Sequence, residues 1–542
     1  MEELKENIWA VVPDAEIAEG EVMTVTVDAI AFRELALCLK QNPALGFDYL
    51  VCMTGMDWGE KLGVVYHFRS TIHRYRLVVK TAAANRENPE LFTVSDLWAT
   101  AGLNEREIFD FFGIRFINHP DMRRLFLRND WVGYPLRKDY NADPEVNPVR
   151  LESDETLDTT PVLEATEEGV VEEKENVVFK GSEYVVNIGP QHPATHGVLR
   201  FRVSLEGEIV KKVDVNCGYI HRGIEKMCES MTYPQTLALT DRLDYLSAHQ
   251  NRHALCRCIE KAMGLEIPER AVYIRTIMDE LTRVASHLLF WSTFCMDLGA
   301  LTAFFYGFRD REKILNLLEE TCGGRLIMNY NVIGGVMADI HPHFVQGVKD
   351  FIRYLPPVLK EYHDIFTGNI IARERMKGIG ILSREAAISY GVTGPSGRAS
   401  GWACDVRKVQ PYGLYDRVQF QEVVREDGDV FGRYMVRMEE IAESLRILEQ
   451  LIDNIPEGPY AVKTKPLVKL PEGSYFTSVE ASRGEFGVFI ESRGDKYPYR
   501  LKFRSPGLPL VSVVDTLASG NKIADLIAIG GSLDYVVPDI DR

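Results

Sequence analysis

Strict alternation of apolar and polar positions predicts strands over residues 22–27 (VMTVTV), 63–68 (GVVYHF) and 75–80 (YRLVVK), because a strand turns successive side chains to opposite faces. Helical spacing predicts helices around 31–39 and 93–97, so the first part of the chain reads as a small α+β domain. Further on, 184–188 and 199–205 read as a strand pair, with the Gly-, Pro- and His-rich loop NIGPQHPATHG between them. From Tyr233 to about Leu326, then over 344–362 and 433–455, apolar residues recur at helical spacing, as in LRILEQLIDNI. These segments suffice for a buried helical bundle. From Tyr475 to Val537 strand-like segments return (GVFIES, YRLKF), with a short helix near 511–518, and no repeat of solenoid length is present.

The sharpest break in this pattern is the stretch Glu152 to Glu175, with ten acidic residues, one Lys and no aromatic side chain. Too little apolar surface is present there to offset ordering entropy, so it is expected to be a solvated, mobile linker. The resulting division is 1–145, linker 146–180, and 181–542. The 542 residues have room for about three folding units. With 46% hydrophobic and 26% charged residues, the composition is that of a water-soluble globular protein. The net charge of −17 argues against a nucleic-acid surface, and nine Cys without repeating spacing point to reduced thiols. The acidic N-terminus lacks the features of a secretory signal. The apolar run from Ala285 to Phe308 approaches membrane-span length but contains His287 and Asp297, so it is expected to be a helix buried in the protein core.

Several chemistries lack their residues. No GxxxxGK[ST] or HExxH occurs, Gly378-Ile379-Gly380 lacks the third Gly of a dinucleotide loop, and no CxxC pair exists. Two local signals remain. In the loop from Gly189 to Gly197, His192 and His196 sit in a Gly/Pro-framed turn and can present imidazoles to a ligand; the alternative is a rigid turn with surface histidines. The cluster TDRLDYLS, from Thr240 to Ser247, places charges at the start of an otherwise apolar helix, where they serve a site or form a local ion pair.

The runs NIGPQHPATHGVLRF, GYIHRGIEK, TDRLDYLSAHQN, DLGALTAFFYGFRDRE, WACDVRKVQPYGLYD and EASRGEFGVFIESRG resemble the 49-kDa (NuoD-type) subunit of respiratory complex I, over essentially 183–542. EREIFDFFGIRFINHPDMRRLFLRNDWVGYPLRKDY, over 105–140, resembles the 30-kDa (NuoC-type) subunit. The resemblance implies an α+β first domain, the acidic linker, and a second domain like the large subunit of nickel-iron hydrogenases. In such hydrogenases two CxxC pairs hold the metals. Here the matching RxCGxC has become Arg242-Leu243-Asp244-Tyr245-Leu246-Ser247, and DPCxxCxxH has become Asp534 to Arg542, so hydrogen chemistry is excluded.

By the same resemblance the vacated position is a quinone chamber. His196 and Tyr245 become the head-group donors and Asp297 the partner of His196; a carboxylate paired with Arg309 or Arg311 is the alternative. His192 orients the loop or touches quinone, and Arg222 lies near the terminal iron-sulfur cluster or makes an interface salt bridge. This chain itself is expected to hold no iron-sulfur cluster, flavin or nickel. The implied partners are a NuoB-type iron-sulfur subunit, NuoH-type and NuoA-type membrane subunits and a NuoI-type ferredoxin-like subunit, on the cytoplasmic side of the bacterial inner membrane. The 30-kDa-like part is read as scaffolding. Where many relatives read ARMHAAY this chain reads GRLIMNY, so Ile327 stands where a titrating histidine would couple cluster reduction to protonation. That favours a low-potential acceptor, menaquinone. The electron donor is a property of other chains, which leaves NADH, ferredoxin or another donor open, along with a purely structural assembly role.

Overall fold

The computed structural model describes residues 2–143, 145, 157–166, 170–192 and 197–542. The predicted strands form as Met23–Asp28, Leu62–Arg69 and Arg76–Ala82. They belong to a five-stranded sheet ordered Glu16–Ala18, Met23–Asp28, Arg76–Ala82, Leu62–Arg69, Tyr49–Asp57, in which the second and third strands are parallel and the other neighbours antiparallel. Alternation misses Tyr49–Asp57 for a physical reason. Every residue of that strand is buried, and a strand covered on both faces has no polar alternate to reveal it.

The helix expected at 93–97 is absent. The chain instead turns there, and the helix begins later, as Ala101–Phe112. The fully buried carboxylate of Glu105 captures the turn, accepting from Thr93 Oγ1 at 2.5 Å and the Val94 N–H at 2.8 Å. These local side-chain bonds compete successfully with helix formation. Burial pushes the Glu105 carboxyl up to about 8.

The acidic segment also departs from expectation. Thr159–Ala165 and Val171–Val177 pair as an antiparallel hairpin, and Asn118 of the first domain bonds to it through its backbone N–H (to Leu163 O, 2.6 Å) and its side chain (from Ala165 N, 2.9 Å). One strand buries Thr160, Val162 and Leu163, while the acidic strand is exposed throughout. Composition correctly places in water those carboxylates of the segment that are described. It does not register that one apolar strand is enough to dock their partner.

In the second part, Tyr184–Ile188, Arg200–Glu206 and Ile209–Asn216 make an antiparallel sheet with Ile188 opposite Phe201, as the predicted strand pair requires. The bundle comprises Tyr233–Thr240, Ala248–Met263, Glu269–Asp297, Leu301–Cys322, Phe344–Tyr362 and Val430–Ile452. A second three-stranded sheet, Gly473–Ala481, Gly484–Ser492 and Arg500–Arg504, packs on Ala248–Met263 and precedes the terminal helices, of which Ile523–Leu533 is the longest.

The apolar run 285–308 is not one helix. The long helix stops at Asp297, Gly299 adopts φ +91°, and a new helix starts at Leu301, leaving Leu301 and Phe305 more than half exposed. Among the described residues no helix is long and apolar enough to cross a membrane. The two parts of the chain meet through buried polar contacts: Tyr49 Oη donates to Glu485 at 3.1 Å, Arg542 reaches Glu107 at 2.7 Å, and Lys502 also pairs with Glu107. Arg542 and Lys502 thereby compensate the buried Glu107 charge, and Arg69 pairs with Glu485 at 3.2 Å.

Candidate active site

Between the bundle and the C-terminal segment lies a cavity of about 160 Å³, whose walls include Tyr245, Leu289, Thr293, Arg483, Asp534 and Tyr535. An apolar cavity of about 150 Å³ admits benzene, so this one has room for a single ring and not for a long isoprenoid tail. A larger groove of about 490 Å³ runs between the first sheet and Gly473–Ala481, but its charged residues are mixed in sign, including Glu19, Glu21, Arg69 and Lys261. We assign the chemistry to the smaller cavity because its polar groups converge on an apolar space.

Four separate segments build it. Tyr245 comes from the irregular turn between Tyr233–Thr240 and Ala248–Met263, so the charged cluster lies just before the helix start expected for it. Leu289 and Thr293 come from the long helix, one turn apart on one face. Arg483 occupies the two-residue turn between Gly473–Ala481 and Gly484–Ser492. That turn is pressed against the backbone at Gly394, where an added Cβ would come within 2.4 Å of Gly484 Cα. Asp534 ends Ile523–Leu533 in the left-handed region, φ +58°, which Asp tolerates better than most residues.

Arg483 is the fully buried centre of the frame. Its Nη1 donates to Asp244 at 2.9 Å and Ser286 at 3.0 Å, its Nη2 to Asp534 Oδ1 at 3.1 Å, and its Nε to the Asp534 carbonyl at 2.7 Å. One guanidinium fork thus joins the TDRLDYLS turn to the C-terminal segment. Burial pushes the Tyr245 phenol above its ordinary value; Arg483 opposes this, and Asp244 and Asp534 reinforce it. The hydroxyl therefore keeps its proton at neutral pH and is available as a hydrogen-bond donor. Behind the frame, Arg437 donates to the carbonyls of Ser532 and Leu533, and Glu440 accepts from His287, Arg398 and Arg407 at 2.8, 2.9 and 2.6 Å. This ionic interior is paired throughout these contacts, as burial demands.

Asp297, the last residue of the long helix, lies against Ile523–Leu533, where a Cβ on Gly531 would come within 3.0 Å of its Oδ2. Tyr535 is close enough that, after burial, the Asp297 charge is the next cause raising its phenol pKa. Asp297 therefore stands beside a cavity-lining residue. Arg309, the alternative partner, is engaged by Asp310 at 2.8 Å and Glu361 at 3.5 Å.

His196 lies outside the described residues. His192 is exposed, on the short ladder Gln191–His192 with Gly197–Val198. The base of that loop rests on the C-terminal segment, since a Cβ on Gly197 would come within 2.5 Å of Val537 Cγ2. Arg222 is exposed and apart from the cavity walls, in a loop whose Gly218 and Ile220 N–H groups donate to the Asp541 carboxylate at 2.9 and 3.1 Å. Burial pushes that carboxyl up to about 6. The residues that motif reading leaves without a role are Arg483 and Tyr535. The signal for Arg483 is an arginine in a tight, Gly-flanked turn between apolar strands (EASRGEFG), a place where a cation has to find buried anions.

Comparison with known proteins gives a consistent result. Residues 25–146 match the family model described as "Respiratory-chain NADH dehydrogenase, 30 Kd subunit", and residues 297–542 match "Respiratory-chain NADH dehydrogenase, 49 Kd subunit". The chain is 67% identical over 519 residues to the fused C/D component of NADH-quinone oxidoreductase from Phocaeicola vulgatus, covering 96% of this chain and 99% of that protein. It is 68% identical over 527 residues to the corresponding C/D component from Bacteroides fragilis, covering 95% and 99%. The D component of NADH-quinone oxidoreductase from Bacillus cytotoxicus is 46% identical over 365 residues, 67% of this chain and all of that protein. The chain belongs to the respiratory-chain NADH dehydrogenase family and carries its 30-kDa and 49-kDa subunits fused in one polypeptide.

Proposed function

We propose that this chain is the subunit of an NADH-quinone oxidoreductase complex that receives the quinone head group in the Tyr245 cavity. The observation that carries the reading is the convergence of two segments, Asp244-Tyr245 and Asp534-Tyr535, on Arg483 around a space of ring size. These are the segments that stand in place of the two thiolate pairs of a hydrogenase-like large subunit, the fold to which we assign residues 181–542. Quinone reduction adds two electrons and two protons to two carbonyl oxygens, and a neutral phenol supplies a donor to one of them. In this reading His196 donates to the other and Asp297 holds it, with His192 orienting the loop. Arg222, exposed on its anchored loop, faces an iron-sulfur cluster carried by a NuoB-type partner. NuoH-type and NuoA-type subunits lie on the membrane side and a NuoI-type subunit leads electrons inward, so the chain is peripheral, on the cytoplasmic face. Residues 1–145 scaffold the assembly. A photoreactive short-chain quinone, applied to the isolated complex, should label the peptides containing Tyr245, Leu289–Met296 or Asp534–Val536. Label confined to other chains or to the large groove would overturn the assignment.

Menaquinone is the acceptor we favour, on the strength of Ile327. An isoleucine cannot titrate, so the midpoint potential of the terminal cluster should change little between pH 6 and 8, instead of by about 59 mV per pH unit for a one-electron, one-proton couple. Redox titration of the cluster signal checks this. A steep slope would remove the support for menaquinone.

A further inference from the structure

The sequence His341-Pro342-His343 lies outside the walls of the Tyr245 cavity. His343 immediately precedes Phe344–Tyr362, and the pair faces Glu320 in the last turn of Leu301–Cys322. One potential ligand atom from each of Glu320, His341 and His343 lies within 4.8 Å of the other two. His341 Nδ1 is 3.7 Å from the Glu320 carboxylate, and the two imidazole rings stand 4.9 Å apart at 79°, crossed and not stacked.

The arrangement is held from both sides. Pro342 fixes the backbone torsion between the histidines. The supporting helices are in close contact, since a Cβ on Gly347 would come within 2.3 Å of the Leu317 side chain. Glu320 is three residues beyond Leu317 and His343 four before Gly347, so this contact sets the separation of the ligands. Competing anions nearby are already occupied, because Arg325 pairs with Glu319 at 2.6 Å and also with Glu312.

We propose that Glu320, His341 and His343 bind a divalent transition-metal ion of the zinc class. Two imidazoles and one carboxylate suit zinc, with water completing the tetrahedron, whereas calcium and magnesium require more oxygen ligands. Glu320 and His341 are partly exposed, at 48% and 37% of their side-chain surface, so an ion can enter from solvent. The bound ion clips the end of one bundle helix to the start of the next. It thereby closes the intervening segment, which carries Ile327 and the ladder Asn331–Val332 with Gly335–Val336, and restrains it.

The test uses the intact complex, stripped with chelator, equilibrated with zinc, desalted and counted for metal by mass spectrometry. Wild type should retain one zinc per complex more than His341→Ala, His343→Ala or Glu320→Gln. X-ray absorption at the zinc edge should show imidazole nitrogen and oxygen neighbours for that equivalent. Equal retention by wild type and variants, or a sulfur shell indicating binding at thiols, overturns the proposal. Should a histidine variant fail to assemble, Glu320→Gln, a near-isosteric change at a half-exposed side chain, decides by the same count. The measurement does not depend on quinone turnover, so its failure would leave the assignment of the Tyr245 cavity standing.

Discussion

Replacing Arg483 with methionine is expected to cost about 3–5 kcal/mol, the usual penalty for removing one partner of a buried ion pair. The side chain is fully buried and holds two carboxylates, Asp244 and Asp534, that have little access to water. Methionine fills much of the volume but leaves both anions without their shared cation. It also removes the bonds to Ser286 and to the Asp534 carbonyl, so the C-terminal segment loses one of its ties to the bundle and keeps those from Arg437. Arg483→Lys keeps the charge and loses the planar fork, and should fall between the two. Complex yield and the thermal inactivation midpoint of the isolated complex are the readouts, with methionine giving little or no assembled complex. A methionine variant that assembles and melts like wild type would mean that Arg483 does not frame the cavity.

Much of this architecture is legible from side-chain periodicity, and the misses have identifiable causes. Phe344–Tyr362 coincides with its predicted bounds because the helix lies on the surface of the bundle with one apolar face. Tyr49–Asp57 is invisible to the same reasoning because both its faces are covered. The long apolar run is read as continuous because hydropathy does not respond to a backbone torsion; Gly299 breaks the helix and leaves Asp297 at its end, beside Ile523–Leu533. The acidic hairpin shows the reverse case, in which correct solvent exposure conceals a docked strand pair.

The candidate site divides in the same way. Tyr245 could be picked out because it lies in a motif with a recognisable relative whose ligands have been replaced, and the run Asp534 to Arg542 is marked by the same replacement without a role for any one residue. Arg483 and Tyr535 could not be assigned roles from local sequence, because their meaning depends on contacts between residues more than fifty positions apart or on the packing of a tail. Asp297 is a different matter. Its charge in an apolar run calls for a polar setting, but only the fold places it next to Tyr535.

Tyr245→Phe removes the one oxygen atom by which the Tyr245 hydroxyl is proposed to donate to the quinone head group. Tyr245 is only partly buried, so the change should leave assembly intact. The loss of a positioned donor of this kind typically lowers turnover by about 10²–10⁴-fold. The direct measurement is turnover of a short-chain quinone by the isolated variant complex, set against its NADH oxidation with an artificial acceptor that bypasses the quinone site. The first rate should fall by about 10²-fold or more with the second unchanged. Quinone turnover close to wild type in a fully assembled Tyr245→Phe complex would contradict it.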